Sequence, residues 1–151
     1  MNKIFIKFLT ILIFISSCGY NPIFSNKNSN FSIKEVRSTG NKKLNIIINN
    51  KLNNYQGVDA EKVISVSINT NLNKEISSKD TKGNPKTFMI EVKSKAIIKD
   101  SNGNVKEKLF SKSTSYNNLA NKFELKKFEN ETAKNLAEKI SEEIIFYLYD
   151  Y

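Results

Sequence analysis

Cys18 is the only cysteine of this 151-residue chain, and its thiol is the side chain best suited to covalent modification. It follows a short leader with the parts of an export signal. Two lysines give a positive start, residues 8–15 form an apolar stretch broken only by Thr10, and two serines precede the cysteine. The stretch is shorter than the about 20 apolar residues that span a bilayer. We therefore predict that residues 1–17 are a cleaved signal peptide.

The segment Ile15-Ser16-Ser17-Cys18 resembles the lipobox of bacterial lipoproteins, although Ile15 stands where Leu is usual and Ser17 where Gly or Ala is usual. The resemblance implies that Cys18 becomes the new N-terminus and takes a thioether-linked diacylglycerol, often with an amide-linked third chain. Each buried methylene contributes about 0.8 kcal/mol of membrane affinity, so such an anchor is stable. Gly19, and not Asp, follows the cysteine, which favours the outer membrane over the inner. A buried free cysteine and an uncleaved signal anchor are the alternatives.

The rest of the sequence offers no catalytic constellation. Histidine is absent and the one cysteine is expected to be acylated, so an imidazole base, a zinc ligand and a cysteine nucleophile are all missing. The five glycines include no adjacent pair and form no phosphate-binding loop. Glu91 and Glu107 lie on predicted strands and are expected to be ordinary surface charges. We predict no enzymatic activity, no metal site and no cofactor besides the acyl chains on Cys18.

Lysine dominates the charge of the chain, with Arg37 as the single arginine. Removing residues 1–17, which contain two lysines, lowers the formal charge from +9 to +7 and leaves 134 residues, enough for one domain. The excess indicates an anionic partner only weakly, because it accompanies 22 asparagines, a composition typical of an AT-rich genome. Nucleic acid is disfavoured, since arginine is nearly absent and no nucleic-acid motif is present.

The mature chain begins with a predicted lipidated tether, residues 18–30, which is polar and contains Pro22. A single domain is then predicted over residues 31–151. Its pattern of apolar residues predicts a strand at 31–37, a helix at 42–56, strands at 64–72 and 88–98, a returning antiparallel strand at 105–116, and a long amphipathic helix at 128–148. Polar loops are predicted at 77–86 and 100–104. A buried strand at Ile46-Ile47-Ile48 is the alternative to the first helix.

This order predicts an α+β fold in which two helices pack on one face of a roughly four-stranded mixed sheet, in the order β-α-β-β-β-α. The other face is expected to be polar, because side chains alternate between the faces along each strand. A solvated surface is the simplest interpretation of that face. Its expected lysines are Lys93, Lys95, Lys99, Lys106, Lys108 and Lys112.

Residues 18–24, Cys-Gly-Tyr-Asn-Pro-Ile-Phe, are similar to the Cys-Gly-Phe-x-Pro-Leu-Tyr opening of the LPS-assembly lipoproteins called LptE, in their short form. Ser115-Tyr116-Asn117 at the end of the last strand adds to the likeness. So does the small and apolar stripe of the C-terminal helix, formed by Ala133, Leu136, Ala137 and Ile140.

The resemblance implies an outer-membrane lipoprotein on the periplasmic side. It would plug and assist assembly of the LptD β-barrel, forming the translocon that inserts lipopolysaccharide into the outer leaflet. Its partners would be the barrel, lipopolysaccharide and the outer membrane, and not nucleic acid. Lys93 and Lys95 are the candidate lipopolysaccharide contacts, because they share the outward face of the clearest predicted strand.

Two other classes of protein share these features. One is a generic periplasm-facing lipoprotein, either an adaptor or an auxiliary subunit of an envelope exporter, which needs no barrel partner. The other is a small enzyme or ligand-binding module with a site built from Asn, Lys and Tyr. Recovery in complex with a large β-barrel would favour the plug over both alternatives.

Overall fold

The computed structural model describes residues 29–151, so the predicted signal peptide, Cys18 and most of the tether lie outside the described residues. The elements occur in the predicted order β-α-β-β-β-α, and the α+β fold class is confirmed. They are β1 (Phe31–Gly40), α1 (Lys42–Asn53), β2 (Lys62–Lys79), β3 (Pro85–Asp100), β4 (Val105–Asn117) and α2 (Lys122–Asp150).

The four strands form one mixed sheet in the order β1-β2-β3-β4. β1 runs parallel to β2, whereas β3 and β4 each run antiparallel to the preceding strand. β1, β2 and β4 therefore begin, and β3 ends, at one end of the sheet, which we call the basal end. The opposite end, which we call the distal end, carries the turn between β2 and β3.

Helix α1 begins where the side chain of Asn41 accepts a hydrogen bond from the amide of Leu44. It ends at Asn53, three residues before the predicted end at Gln56. The chain turns there because the carbonyl of Tyr55 accepts a hydrogen bond from the amide of Ile33 at 2.9 Å, which ties the turn to β1. The alternative strand at residues 46–48 is wrong, since all three isoleucines lie within the helix.

Helix α2 begins at Lys122, six residues before the predicted start at Phe128. Asn121 caps it, its side chain accepting hydrogen bonds from the amides of Phe123 and Glu124. The first turns are polar and expose Phe123, so their sequence carries no strong apolar stripe. Twenty-nine residues at about 1.5 Å each give α2 a length of about 43 Å, enough to cross the whole sheet.

Strand β2 continues to Lys79 and β3 begins at Pro85, so half of the predicted loop 77–86 is strand. Only five residues, 80–84, connect them, and the Asp80 carboxylate accepts hydrogen bonds from the amides of Lys82 and Asn84. Every residue of β2 from 71 to 79 is exposed, because α1 covers only the basal half of the sheet. No alternation of buried and exposed residues marks this part of the strand in the sequence.

Both helices lie on one face of the sheet, and the core fills the space between the two layers. Gly40 ends β1 beside its partner Thr70 in the neighbouring strand β2: its φ is +89°, and a Cβ there would lie 2.2 Å from the carbonyl oxygen of Thr70. Thr70 itself is buried and shares a hydrogen bond of 2.9 Å with Ser94, which satisfies both hydroxyls. The largest fully buried side chains include Phe31, Ile33, Ile48, Leu52, Ile64, Ile98, Ile140, Ile144 and Leu148.

Candidate functional site

The face of the sheet that the helices leave uncovered, which we call the open face, is the first candidate surface, because it carries Lys93 and Lys95. β3 places both lysines outward, since their neighbours Val92, Ser94 and Ala96 are buried beneath the helices. Each lysine side chain is half-exposed. The structure therefore places both lysines on the open face, as predicted.

Each of the two lysines has a carboxylate partner on the same face. The ammonium of Lys93 lies 2.9 Å from a carboxylate oxygen of Glu91, and that of Lys95 lies 2.6 Å from Glu107. Hydrogen bonds from Lys93 and then Ser111 hold the pKa of Glu91 below its usual range. The open face is thus a polar surface of paired charges, and an anionic ligand must compete with two carboxylates to bind there.

The expectation that Lys106, Lys108 and Lys112 lie on the same open face is wrong. Lys99 pairs with Val105 across the β3–β4 turn, so odd-numbered residues point outward in both strands. The three even-numbered lysines therefore point to the helix side, where Lys112 forms an ion pair with Glu143 of α2. The cationic surface is divided between the two sides of β4.

A buried charge cluster that no sequence pattern predicts joins α2 to the distal half of the sheet. Glu129 of α2 is 7% exposed and accepts hydrogen bonds from the ammonium of Lys74 and, at 2.9 Å, from the hydroxyl of Tyr116. The ammonium of Lys74 also lies 4.2 Å from the ring centroid of Phe88. The three polar groups belong to β2, β4 and α2, and only the pairing of the strands brings them together.

The titration of this cluster follows from its contacts. Burial alone would raise the pKa of Glu129, but the hydrogen bonds from Lys74 and Tyr116, together with the charges of Lys74 and Lys126, hold it below its usual range. Burial and the hydrogen bond to Glu129 raise the pKa of the Tyr116 phenol. Glu129 is therefore ionised and Tyr116 neutral around pH 7, and the cluster stabilises the packing of α2.

We expect Glu129→Gln to destabilise the domain by about 1–2 kcal/mol at pH 7, because the half-exposed Lys74 then loses its buried partner. The folded-state pKa of Glu129 is depressed, so its contribution is present above the ordinary value of 4.5 and is lost as the pH falls through the folded-state pKa. Urea unfolding at pH 7 and at pH 3 should show the difference between wild type and variant shrinking in acid. Glu143→Gln, in an exposed ion pair on the same helix, should cost about 0.5 kcal/mol or less at both pH values. Equal effects of the two substitutions would contradict this account.

A second group of charges lies on the helix side at the basal end. The ammonium groups of Lys62 and Lys106 lie 4.3 and 4.7 Å from the ring centroid of Tyr151, and that of Lys108 lies 5.4 Å from the ring of Tyr147. We call Lys62, Lys106 and Lys108 the basal lysine cluster. Beside it, an open groove of about 1200 Å³ follows α2 and β4 and is lined by Lys108, Phe110 and Tyr147 among others.

The described residues hold no group of three Cys, Asp or Glu side chains that could bind a metal ion. Over the same part of the chain, neither helix is long and apolar enough to cross a membrane.

The sequence matches no known protein-family profile and no curated protein. The fold, however, is similar to that of solved bacterial lipoproteins. Rare lipoprotein B of Shewanella oneidensis is 14% identical, with a TM-score of 0.55 over 77% of this chain and 97% of that one. A minor lipoprotein of Acinetobacter baumannii is 11% identical, with a TM-score of 0.61 over 80% and 91%. Lipoprotein B of Nitrosomonas europaea is 12% identical, with a TM-score of 0.61 over 84% and 88%.

These matches define the class to which the described residues belong by fold: an α+β domain shared with bacterial lipoproteins. Because the matches cover most of both chains, the likeness extends to the whole layered arrangement and not to one motif. At 11–14% identity it shows a shared fold and carries no site residue from one protein to another.

Proposed function

We propose that the protein is an outer-membrane lipoprotein of the LptE class, anchored on the periplasmic side through acylated Cys18. It would plug and assist assembly of an LptD-like β-barrel that inserts lipopolysaccharide into the outer leaflet. The observation that carries the proposal is the combination of a lipoprotein-like domain fold with the segment Cys-Gly-Tyr-Asn-Pro-Ile-Phe at residues 18–24.

The open face of the sheet suits contact with a water-lined barrel interior. It presents serine and asparagine side chains between paired charges, and such groups can exchange hydrogen bonds with water for hydrogen bonds with polar residues of a lumen. Ser111, for example, donates a hydrogen bond of 2.8 Å to Glu91. A plug also needs a rigid body, which the continuous core between the two layers provides.

Co-purification tests the proposal. Solubilisation of the membrane in mild detergent, followed by capture of the tagged protein, is expected to recover a large β-barrel protein in a stoichiometric complex. The control is an unrelated tagged lipoprotein of the same membrane. Recovery of the protein as a lone monomer would contradict the plug and favour a lipoprotein adaptor, or an auxiliary subunit of an envelope exporter.

The open face also leads to a prediction about lipopolysaccharide. We expect Lys93→Glu combined with Lys95→Glu to weaken lipopolysaccharide binding about tenfold, because phosphate carries more negative charge than the carboxylates of Glu91 and Glu107 and can displace them from the lysines. Binding of the purified protein to lipopolysaccharide at low and high salt would measure the effect, and salt should weaken binding of the wild type.

The matched control reverses two charges on the other layer of the molecule. Lys127→Glu combined with Lys134→Glu makes the same change in net charge on exposed positions of α2. This control is expected to leave lipopolysaccharide binding within about twofold of wild type. Both double variants should fold, since all four side chains are solvent-accessible. Unchanged binding of the open-face variant would dismiss Lys93 and Lys95 as contacts.

A further inference from the structure

The basal lysine cluster is cationic, and none of its ion-pair partners is among residues 29–151, in contrast to Lys93 and Lys95 of the open face. No carboxylate of the described residues lies within 4.0 Å of the ammonium groups of Lys62, Lys106 or Lys108. The field of Asp100 reaches Lys62, but both oxygens of Asp100 already accept hydrogen bonds from the backbone and side chain of Asn104. The cluster therefore keeps its capacity to bind an anion.

The cost of holding these charges together also favours an anionic ligand. Burial and then the charge of Lys106 lower the pKa of Lys62. A phosphate placed between the two ammonium groups would relieve that repulsion, and the tyrosine ring beneath them fixes their positions. The cluster is thus suited to a phosphate group that approaches from the basal end.

The same end of the domain receives the chain from the membrane anchor. Ser29 is buried next to Phe31, and the side chain of Asn30 donates a hydrogen bond of 3.2 Å to the carbonyl of Tyr149, in the last turn of α2. Ten residues separate Ser29 from Cys18, a path of at most about 40 Å. An anchor at Cys18 would therefore keep the basal end within about 40 Å of the membrane surface.

The side-chain types at the basal end are those that proteins place at membrane interfaces. Tyrosine rings sit at the level of the headgroups, and lysines extend their ammonium groups to the phosphates. Tyr147 and Tyr151 are partly exposed beside the lysines, and Val105, at the start of β4, is 56% exposed. Lys62, Lys106 and the two tyrosines lie together on the helix side of the basal end, where a membrane surface could contact them.

We propose that the basal end is a docking surface for anionic phospholipid headgroups of the leaflet that holds the anchor, and that Lys62, Lys106 and Lys108 bind headgroup phosphates there. The inference rests on the part of the proposed function that acylates Cys18, and it does not require a barrel. Docking orients the domain with its basal end on the bilayer and the turn at residues 80–84 farthest from it.

The chain contains no tryptophan, so a single introduced one reports on its own surroundings. We would place it by Tyr151→Trp in the full-length acylated protein, reconstituted in vesicles that contain neither a barrel nor lipopolysaccharide. Vesicles with about 30% phosphatidylglycerol are expected to shift its emission to shorter wavelength and to shield it from an aqueous quencher, whereas pure phosphatidylcholine vesicles are not. Phe123→Trp, at the distal end, should remain fully quenchable in both.

Replacing Lys62, Lys106 and Lys108 by Gln is expected to lower the ratio of docked to undocked protein on anionic vesicles on the order of 100-fold. The matched control replaces the exposed Lys79, Lys82 and Lys86 at the distal end by Gln, and it should dock like wild type. Equal emission on both vesicle types, or equal losses in the two triple variants, would overturn the proposal. Vesicle flotation distinguishes a failure of docking from a failure of the anchor. An acylated protein floats with both vesicle types. A protein that floats with neither is not anchored, and this result would overturn the acylation of Cys18.

Discussion

Cys18→Ser is expected to remove the protein from the outer membrane. A serine hydroxyl cannot take the place of the thiol in the thioether link, so no diacylglycerol is attached. Two acyl chains with about 0.8 kcal/mol per buried methylene are what would hold the wild type in the membrane, and neither helix of the described residues can replace them. Mass spectrometry of the purified protein and fractionation of the envelope on a sucrose gradient would measure the loss of acyl chains and the loss from the outer-membrane fraction.

Gly19→Asp is the matched control for this experiment. It keeps the cysteine and is expected to keep the acyl chains, but Asp after the cysteine is the usual signal for retention at the inner membrane. The variant should therefore carry the same acyl mass as wild type and appear in the inner-membrane fraction. An unmodified Cys18 in the wild-type protein would contradict the lipoprotein interpretation.

Phe31→Ala is expected to be the most destabilising of the substitutions proposed for the folded domain. Phe31 is fully buried, stacks on Tyr55 with 5.1 Å between ring centroids, and meets Tyr149 edge-on at the same distance. Truncation should cost about 3–5 kcal/mol through the lost burial and the cavity left behind. That is a large part of the 5–15 kcal/mol by which single domains are typically stable. The midpoint of urea unfolding measures the loss.

Phe123→Ala provides the comparison, because Phe123 is 78% exposed on the first turn of α2. Its removal should change the free energy of unfolding by about 0.5 kcal/mol or less. A loss comparable to that of Phe31→Ala would mean that the aromatic cluster of Phe31, Tyr55 and Tyr149 does not contribute as its burial indicates. Burial of the Tyr55 phenol and its contacts with Tyr149 raise the pKa of Tyr55 to about 12, so titration of this phenol in the folded protein gives a second readout of the same cluster.

The basal half of the fold could be predicted from the sequence, because one face of each element there is buried and the other is exposed to solvent. Ile64, Val66 and Ile68 alternate with serines in β2, and the pattern locates that strand correctly. The distal half of the same strand is exposed on both faces, and a pattern that reports burial could not mark its extension to Lys79. The first turns of α2 bury only Leu125 and Glu129, so they carry no apolar stripe that would mark the early start of the helix.

The positions of the candidate site residues could be predicted only where the direction of a side chain depends on a single strand. Lys93 and Lys95 lie on the open face because β3 alone fixes their direction. The direction of Lys106 depends on the register across the β3–β4 turn, which pairs Lys99 with Val105 and sends the even-numbered lysines of β4 to the helix side. The cluster around Glu129 joins residues up to 55 positions apart, so its members come together only through the packing of three elements.

Site-specific photocrosslinking tests the plug most directly. A photoreactive side chain would be placed in living cells either at Asn71, on the open face of the sheet, or at Lys134, on the exposed side of α2. A domain enclosed by a barrel lumen faces the barrel wall with both its sheet layer and its helix layer, so both positions are predicted to crosslink to the same large outer-membrane β-barrel. Crosslinks from only one of the two faces, or to no barrel from either, would contradict the account.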